Sequence, residues 1–169
     1  RTSDWNQCSF NKITLKRMTK NVEIHMNSYA WLAKAVAEKM IKNNVKGSII
    51  NLNSIYGLLG QDLNIYEKTS MKENMPYSMI KGGLVNLTRQ MASYYGQYGI
   101  RINGICAGGL KGHVAGKSNK QEKQFVKNYQ KKVPLKRLGD SEEVANAVTF
   151  IASDAASYIT GSNILVDGG

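Results

Sequence analysis

The order of local patterns along this chain constrains its fold more than any other feature. Apolar residues recur at steps of four and three in long segments, and a short apolar run follows each of them. The predicted helices cover residues 21–43, 80–98 and a stretch from Ser141, and the predicted strands cover residues 47–52, 100–106 and 164–166. Such alternation is typical of an α/β protein with a parallel sheet. With 169 residues, the chain is predicted to form a single domain over residues 1–169.

Each long helical pattern has one apolar face that should be buried. The expected buried residues are Val22, Met26, Tyr29, Ala33, Val36 and Met40 in the first helix, and Ile80, Leu84, Leu87, Met91, Tyr94 and Tyr98 in the second. Ligands of such sheets bind at the carboxyl ends of the strands, so loops there are where we expect chemistry.

The net charge of +11 is concentrated in one segment. Residues 111–137, called the flap below, hold nine Lys or Arg residues and one acid. This run is either a solvated surface or a flap that attracts an anionic small molecule. A nucleic-acid site would usually bring Arg and interleaved aromatic residues, whereas Lys dominates here beside Phe125 and Tyr129. We therefore expect no nucleic-acid partner.

Other partners and compartments are excluded by simpler features. The chain has no apolar run of about 18 residues, so no membrane association is expected. Its two cysteines, Cys8 and Cys106, are too few for a disulfide framework or a tetrahedral zinc site. We expect no metal and a reducing, cytoplasmic location.

Tyr77 and Lys81 form the pair of residues most suggestive of catalysis. Residues four apart lie on one helical face, so the Lys81 ammonium can approach the Tyr77 phenol and favour its ionised form. This would make Tyr77 a general acid or base. The spacing also occurs by chance in helices, but no other of the nine tyrosines has a lysine four residues later. Ser54 follows a predicted strand and could orient a carbonyl or alcohol oxygen toward Tyr77, or it could simply satisfy a turn.

Together these residues resemble the short-chain dehydrogenase/reductase family. The matching motifs are Gly-Ser-Ile-Ile-Asn-Leu-Asn-Ser at 47–54, Tyr-Ser-Met-Ile-Lys-Gly-Gly at 77–83, Ile-Arg-Ile-Asn-Gly-Ile-Cys-Ala-Gly at 100–108, Pro-Leu-Lys-Arg-Leu-Gly-Asp-Ser-Glu-Glu-Val at 134–144 and Tyr-Ile-Thr-Gly-Ser-Asn-Ile-Leu-Val-Asp-Gly-Gly at 158–169. Each motif is weak alone, but their order and distances are specific. The resemblance covers residues 20–169 and implies a Rossmann-like, doubly wound parallel sheet that lacks its N-terminal strands.

The resemblance also implies an activity: an oxidoreductase that interconverts an alcohol and a carbonyl by hydride transfer with NAD or NADP. In that family pattern Tyr77 exchanges a proton with the substrate, Lys81 holds the nicotinamide ribose and lowers the Tyr77 pKa, and Ser54 fixes the substrate oxygen. The residues implied to bind the cofactor are Asn53, Tyr77, Lys81, Ala107, Gly108, Gly109 and Leu110. The flap residues implied to meet the substrate are Lys111, Lys117 and Lys120. The two long helices would pack against another subunit, giving a homodimer or homotetramer.

Four departures from the family pattern qualify this hypothesis. The family's glycine-rich dinucleotide-binding turn and the strands around it do not occur in the sequence, so we expect the C-terminal part of such an enzyme, unable to bind the dinucleotide tightly alone. His25 stands where the family usually has an Asn in a proton relay, and it could relay a proton or be structural. Ala107 replaces the usual proline. Ser54 and Tyr77 lie 23 residues apart instead of about a dozen in short members of the family. The extra residues, 61–75, form either a loop over the active site or a harmless surface insertion.

The insertion and the flap together resemble oxidoreductases of bacterial flagellin-modification and sialic-acid-like sugar pathways. This implies a small-molecule substrate that is an anionic sugar or nucleotide sugar. The alternatives are an extended-type nucleotide-sugar epimerase or dehydratase, which also has a longer gap after the serine, and a catalytically silent cofactor sensor of the same fold. The joint presence of Ser54, Tyr77 and Lys81 disfavours the silent sensor.

Overall fold

The computed structural model describes residues 2–112 and 121–169. Its strands are β1 (Gly47–Ser54), β2 (Ile100–Ala107) and β3 (Asn163–Val166). Its helices are α1 (Leu15–Val22), α2 (Ser28–Lys42), α3 (Met75–Tyr95), α4 (Lys123–Lys132) and α5 (Ser141–Ala152). A π-helical turn, Glu23–Asn27, joins α1 to α2, and a short 3-10 helix, Thr2–Cys8, precedes α1.

The three described strands form one parallel sheet in the order β1-β2-β3. Gly47 lies opposite Ile100 and Ser54 lies opposite Ala107, so β1 and β2 end together. The parallel α/β fold expected from the alternating patterns is therefore confirmed. Because all strands run the same way, their carboxyl ends meet at one edge of the sheet, where residues 53–54 and 107–110 lie.

Helices cover both faces of this sheet. Ile49 and Ile102 pack with α2 and α3, whereas Ile50 and Ile105 pack with α5. Neighbouring residues of a strand point to opposite faces, so the unbroken apolar runs in β1 and β2 fit a sheet that is covered on both sides.

The buried faces of the long helices differ from those expected. In α2 the buried residues are Ala33 and Ala37, and Tyr29 is half exposed. In α3 the residues Ile80, Leu84 and Met91 are buried as expected, but Tyr94 is 56% exposed. The apolar spacing therefore marks two surfaces of these helices, one against the sheet and one open to solvent.

A separate apolar cluster joins the inserted segment, residues 61–75, to the flap. Ile65 and Tyr66 of the insertion are buried against Tyr129 of α4, together with Val133 and Leu138. The insertion is consequently part of the packed structure beside the carboxyl ends of the strands. None of the helices formed by the described residues is long and apolar enough to cross a membrane.

Candidate active site

Ser54 is held at the end of β1 by the turn that follows it. Its Oγ accepts a hydrogen bond from the Tyr56 N–H at 3.2 Å, and the side chain is 5% exposed. Gly57 allows the turn to approach α3, because a Cβ at this position would lie 2.7 Å from the Lys81 carbonyl oxygen. The missing side chain of Gly57 thus brings the end of β1 against the helix that carries Tyr77 and Lys81.

The start of α3 fixes the position of Tyr77. Asn74 is the N-cap, and its Oδ1 accepts a hydrogen bond from the Tyr77 N–H at 2.9 Å. Pro76 in the first turn loses no hydrogen bond, since the first N–H groups of a helix have no partner within it. Two aromatic rings contact Tyr77, Trp5 at 5.4 Å and Tyr56 at 6.4 Å between ring centroids.

Lys81 points back toward the end of β1. Its Nζ donates a hydrogen bond to the Leu52 carbonyl oxygen at 2.8 Å and lies 5.9 Å from the ring centroids of Tyr77 and Tyr29. Burial lowers the pKa of Lys81, because desolvation disfavours the ammonium. The structure therefore places Ser54, Tyr77 and Lys81 at one end of the parallel sheet.

The pKa of Tyr77 differs in direction from the sequence-based expectation. Burial raises the Tyr77 pKa above its ordinary value, and a hydrogen bond with Ser54 opposes that rise. Lys81 is not among the groups that shift the Tyr77 pKa in this chain, although its Nζ lies 5.9 Å from the centre of the Tyr77 ring. Tyr77 is accordingly a neutral phenol here, with Ser54 as the group that favours its ionised form.

The residues expected beside the nicotinamide border the same edge. The Gly108 N–H donates to the Val166 carbonyl oxygen at 3.0 Å, which extends the pairing of β2 with β3. Gly109 donates its N–H to the Tyr129 hydroxyl at 2.8 Å. Leu110 forms a parallel bridge with Gly139, and this bridge joins the residues that flank the flap on either side. Residues 107–110 thus lie at the carboxyl end of β2, with their backbone bonded to β3, α4 and the residues around Gly139.

Asn53 lies on the α3 side of the sheet. Its Nδ2 donates to the Asn163 Oδ1 at 2.9 Å, and its side chain is 6% exposed. The Asn53 Oδ1 is buried and has no hydrogen-bond partner among the described residues.

His25 lies in the π-helical turn and is exposed. Met26 of this turn meets α3, since a Cβ at Gly83 would lie 2.9 Å from the Met26 Sδ. Tyr29, one turn later, is the residue whose ring faces Lys81. A relay through His25 remains a prediction.

Among the described residues, three of the flap's nine basic side chains form ion pairs. Lys111 pairs with Asp140 at 3.0 Å, Lys132 with Asp62 at 2.9 Å and Arg137 with Glu143 at 2.6 Å. Lys117 and Lys120 lie outside the described residues. Within residues 2–112 and 121–169, no group of three or more His, Cys, Asp or Glu side chains could hold a metal ion.

Several residues at the site were not predicted from the sequence: Trp5, Tyr29, Tyr56, Gln61, Asn74 and Tyr129. Asn74 carried a local signal, an Asn two residues before a Pro at a helix start. The contact of Trp5 with Tyr77 and that of Tyr129 with Gly109 join distant parts of the chain, so no local pattern could reveal them.

Comparisons with known proteins agree with this geometry. A family model described as enoyl-(acyl carrier protein) reductase matches residues 2–169. The chain belongs to the short-chain dehydrogenase/reductase family.

Three similar proteins illustrate the family relationship. Glucose 1-dehydrogenase 2 of Bacillus subtilis is 33% identical over 161 residues, which are 94% of this chain and 57% of that protein. The post-translational flagellin modification protein A of Campylobacter coli is 28% identical over 166 residues, 98% of this chain and 62% of that protein. A short-chain dehydrogenase of Leptospira borgpetersenii, solved with bound NAD+, has a TM-score of 0.82 at 32% identity and covers 95% of this chain.

The chain spans about three fifths of the length of the proteins it matches, including 59% of the Leptospira structure. The narrower resemblance to flagellin-modification oxidoreductases is consistent with the Campylobacter protein, which is one of these relatives.

Proposed function

We propose that this chain is part of an NAD(P)-dependent oxidoreductase that interconverts an alcohol and a carbonyl. The observation that carries the proposal is the convergence of Ser54, Tyr77 and Lys81 at the carboxyl end of a parallel sheet. The dehydrogenases among its relatives favour this reaction over an epimerase, a dehydratase or a silent sensor.

The residues present fit the nicotinamide half of a dinucleotide. An ammonium has three donors, and the described hydrogen bond to the Leu52 carbonyl oxygen uses one of those of Lys81. The others suit ribose hydroxyls, and residues 107–110 lie at the same carboxyl edge of the sheet. When bound, the nicotinamide supplies or accepts the hydride.

The proton that accompanies the hydride is transferred by Tyr77, with Ser54 holding the substrate oxygen. Tyr77 donates its phenolic proton to the substrate oxygen during reduction, or accepts it during oxidation. The Ser54 hydroxyl holds the same oxygen within reach of Tyr77. Trp5 and Tyr56 cover the Tyr77 ring, which keeps water from that part of the site.

The test is Tyr77→Phe in the natural full-length protein, with turnover followed by the absorbance of the reduced nicotinamide. General acid–base catalysis predicts a loss of at least about a hundredfold in kcat. Tyr158→Phe, which removes a hydroxyl from a fully exposed tyrosine, is the matched control and should leave kcat unchanged. A Tyr77→Phe protein that turns over as fast as the control would refute the proposed role.

The substrate proposed is a sugar, and specifically an anionic one. The support for a sugar is the similarity to glucose 1-dehydrogenase 2, and the support for an anion is the basic flap. Lys111 is already paired with Asp140, so the charge available to a ligand would come chiefly from other flap residues, Lys117 and Lys120 among them. Charge reversal at Lys117 and Lys120 should raise the KM for a sugar phosphate, and an unchanged KM would overturn the anionic part of the proposal.

A homodimer or homotetramer through α2 and α3 is also proposed. Trp31, Leu32 and Tyr94 on these helices are 69%, 65% and 56% exposed, and Trp31 and Tyr94 line a groove of about 650 Å³ between the helices. Burying apolar groups of this size is favourable, which supports association through this surface. Light scattering should find Trp31→Asp dissociated and the exposed control Lys39→Asp still assembled. An undiminished mass for Trp31→Asp would exclude this interface.

A further inference from the structure

The hydroxyl of Tyr129 lies between two segments of the candidate active site. Tyr129 belongs to α4 and is 6% exposed, with its ring among the apolar residues of the insertion and the flap. Its hydroxyl oxygen accepts the Gly109 N–H at 2.8 Å. The Tyr56 side chain packs against the same apolar cluster, and the neighbouring Tyr129 contributes to the rise in the pKa of Tyr56. A side chain of the flap thus contacts both the end of β2 and the turn after β1.

Tyr56 connects this hydroxyl to the catalytic residues. Its N–H donates to the Ser54 Oγ, and its ring meets the Tyr77 ring nearly edge-on, at an interplanar angle of 73°. Burial raises the pKa of Tyr56 and of Tyr129, so both remain neutral hydroxyls. A neutral phenol has one donor and two acceptor positions, so the Tyr129 hydroxyl still has a donor and an acceptor position for its neighbour Tyr56 after accepting the Gly109 N–H.

The position of α4 is in turn fixed by the insertion. Phe125 of α4 stacks on Tyr66 at 6.1 Å between ring centroids, and Asn128 donates to the Glu67 carbonyl oxygen at 2.8 Å. Phe125 and Asn128 hold α4 against the insertion. Tyr129, on the same helix, contacts Gly109 at the end of β2 and Tyr56 in the turn after β1. The placement of the helix and the geometry at Tyr77 are therefore linked through one phenol.

We infer that Tyr129 is a positioning residue, whose hydroxyl fixes Gly109 beside the nicotinamide site and Tyr56 beside Ser54 and Tyr77. The inference rests on the proposed oxidoreductase function. Tyr129 takes no proton from the substrate. It acts by fixing the position of the end of β2 relative to the turn after β1 when α4 is packed against the insertion.

The decisive variant is Tyr129→Phe in the natural full-length protein, because it keeps the packed ring and removes only the hydroxyl. We expect kcat to fall about tenfold while the substrate KM changes by less than about twofold, as for an interaction that matters chiefly in the transition state. Tyr158→Phe serves as the control. A residue that merely packs in the apolar cluster would leave kcat unchanged on loss of its hydroxyl.

The partner variant Tyr56→Phe removes the hydroxyl of the neighbouring phenol, so kcat should fall by a similar factor. The double variant should fall little further than either single one, since in this arrangement both hydroxyls act through one shared interaction. The inference would be overturned if the fall in kcat of the double variant equalled the product of the two single falls. It would also be overturned if Tyr129→Phe had the same kcat as the control. If Tyr129→Phe fails to fold, an undiminished kcat for Tyr56→Phe overturns it equally. Full activity of Tyr77→Phe would instead overturn the proposed reaction.

Discussion

The Gln61 side chain links the two ends of the inserted segment through hydrogen bonds. Its removal should lower the free energy of unfolding of the protein. The Gln61 Nε2 donates to the Asn74 carbonyl oxygen at 2.8 Å and to the Ser78 Oγ at 2.9 Å. The Gln61 Oε1 accepts the Asn74 N–H at 3.0 Å and the Tyr66 hydroxyl at 2.9 Å. Gln61→Ala leaves all four partner groups without this amide, and two of the partner residues, Asn74 and Tyr66, are buried.

A neutral hydrogen bond contributes about 0.5 to 1.5 kcal/mol, so four partly buried ones give about 3 kcal/mol for Gln61→Ala. With a urea dependence of about 2 kcal/mol per molar, the unfolding midpoint should fall by about 1.5 M. Equilibrium urea unfolding of the natural protein, followed by fluorescence and circular dichroism together, measures this shift. Agreement of the two probes shows whether unfolding is two-state.

Gln97→Ala is the matched control for this measurement. Gln97 is exposed and makes one hydrogen bond, to the Tyr94 carbonyl oxygen at 3.0 Å. Its loss should change stability by less than about 0.5 kcal/mol, as is usual for surface substitutions. Equal midpoints for Gln61→Ala and Gln97→Ala would refute the argument that the amide holds the insertion in place.

Two further predictions concern helix starts. Asn74→Ala removes the N-cap of α3 and should lower the free energy of unfolding in urea by about 1 kcal/mol. Asn74→Asp keeps an acceptor for the Tyr77 N–H and should retain most of that stability. Equal losses of stability in the two variants would contradict the capping role. At the start of α5, hydrogen bonds from Arg137 chiefly, and from the Asp140 N–H, lower the pKa of Glu143 from 4.5 to about 2. A carboxyl whose pKa is lowered by folding stabilises the folded protein at pH values above its pKa in the unfolded chain. The thermal stability of the natural protein should therefore exceed that of Glu143→Gln fully at neutral pH, and this difference should disappear as the pH falls from about 4.5 to 2. A difference that does not change with pH would contradict the stabilising role of the Glu143 carboxylate.

The strands and the catalytic pair were predictable because their signals are local. The apolar runs located β1 and β2 correctly, and the four-residue spacing placed Tyr77 and Lys81 on one helix. β1 nevertheless extends to Ser54, two residues beyond the apolar run, because Asn53 and Ser54 pair with Cys106 and Ala107 of β2. Pairing between strands, rather than apolar character, determines where β1 ends.

Two helices begin before the apolar patterns that predicted them, because the capping residues Thr14 and Asn74, rather than apolar residues, determine where α1 and α3 start. α1 begins at Leu15, where the Thr14 Oγ1 accepts the Arg17 N–H at 3.3 Å, well before the expected start at residue 21. α4 showed only weak helical signals in its Lys-rich sequence. Its stability depends on Phe125 and Tyr129 packing against the distant insertion, which the local sequence cannot express.

The hydrogen bond between Asn53 and Asn163 has a consequence for how this structure assembles. It joins β1 to β3 across the central strand, passing over Gly104, where a Cβ would lie only 2.1 Å from the Asn163 Oδ1. The two asparagines are 110 residues apart in sequence, so the bond can form only after both strand crossovers have closed. A slip of either pairing by two residues would keep every side chain on its proper face, yet it would separate these amides. The hydrogen bond between these two side chains therefore forms only when both strand pairings have the correct register.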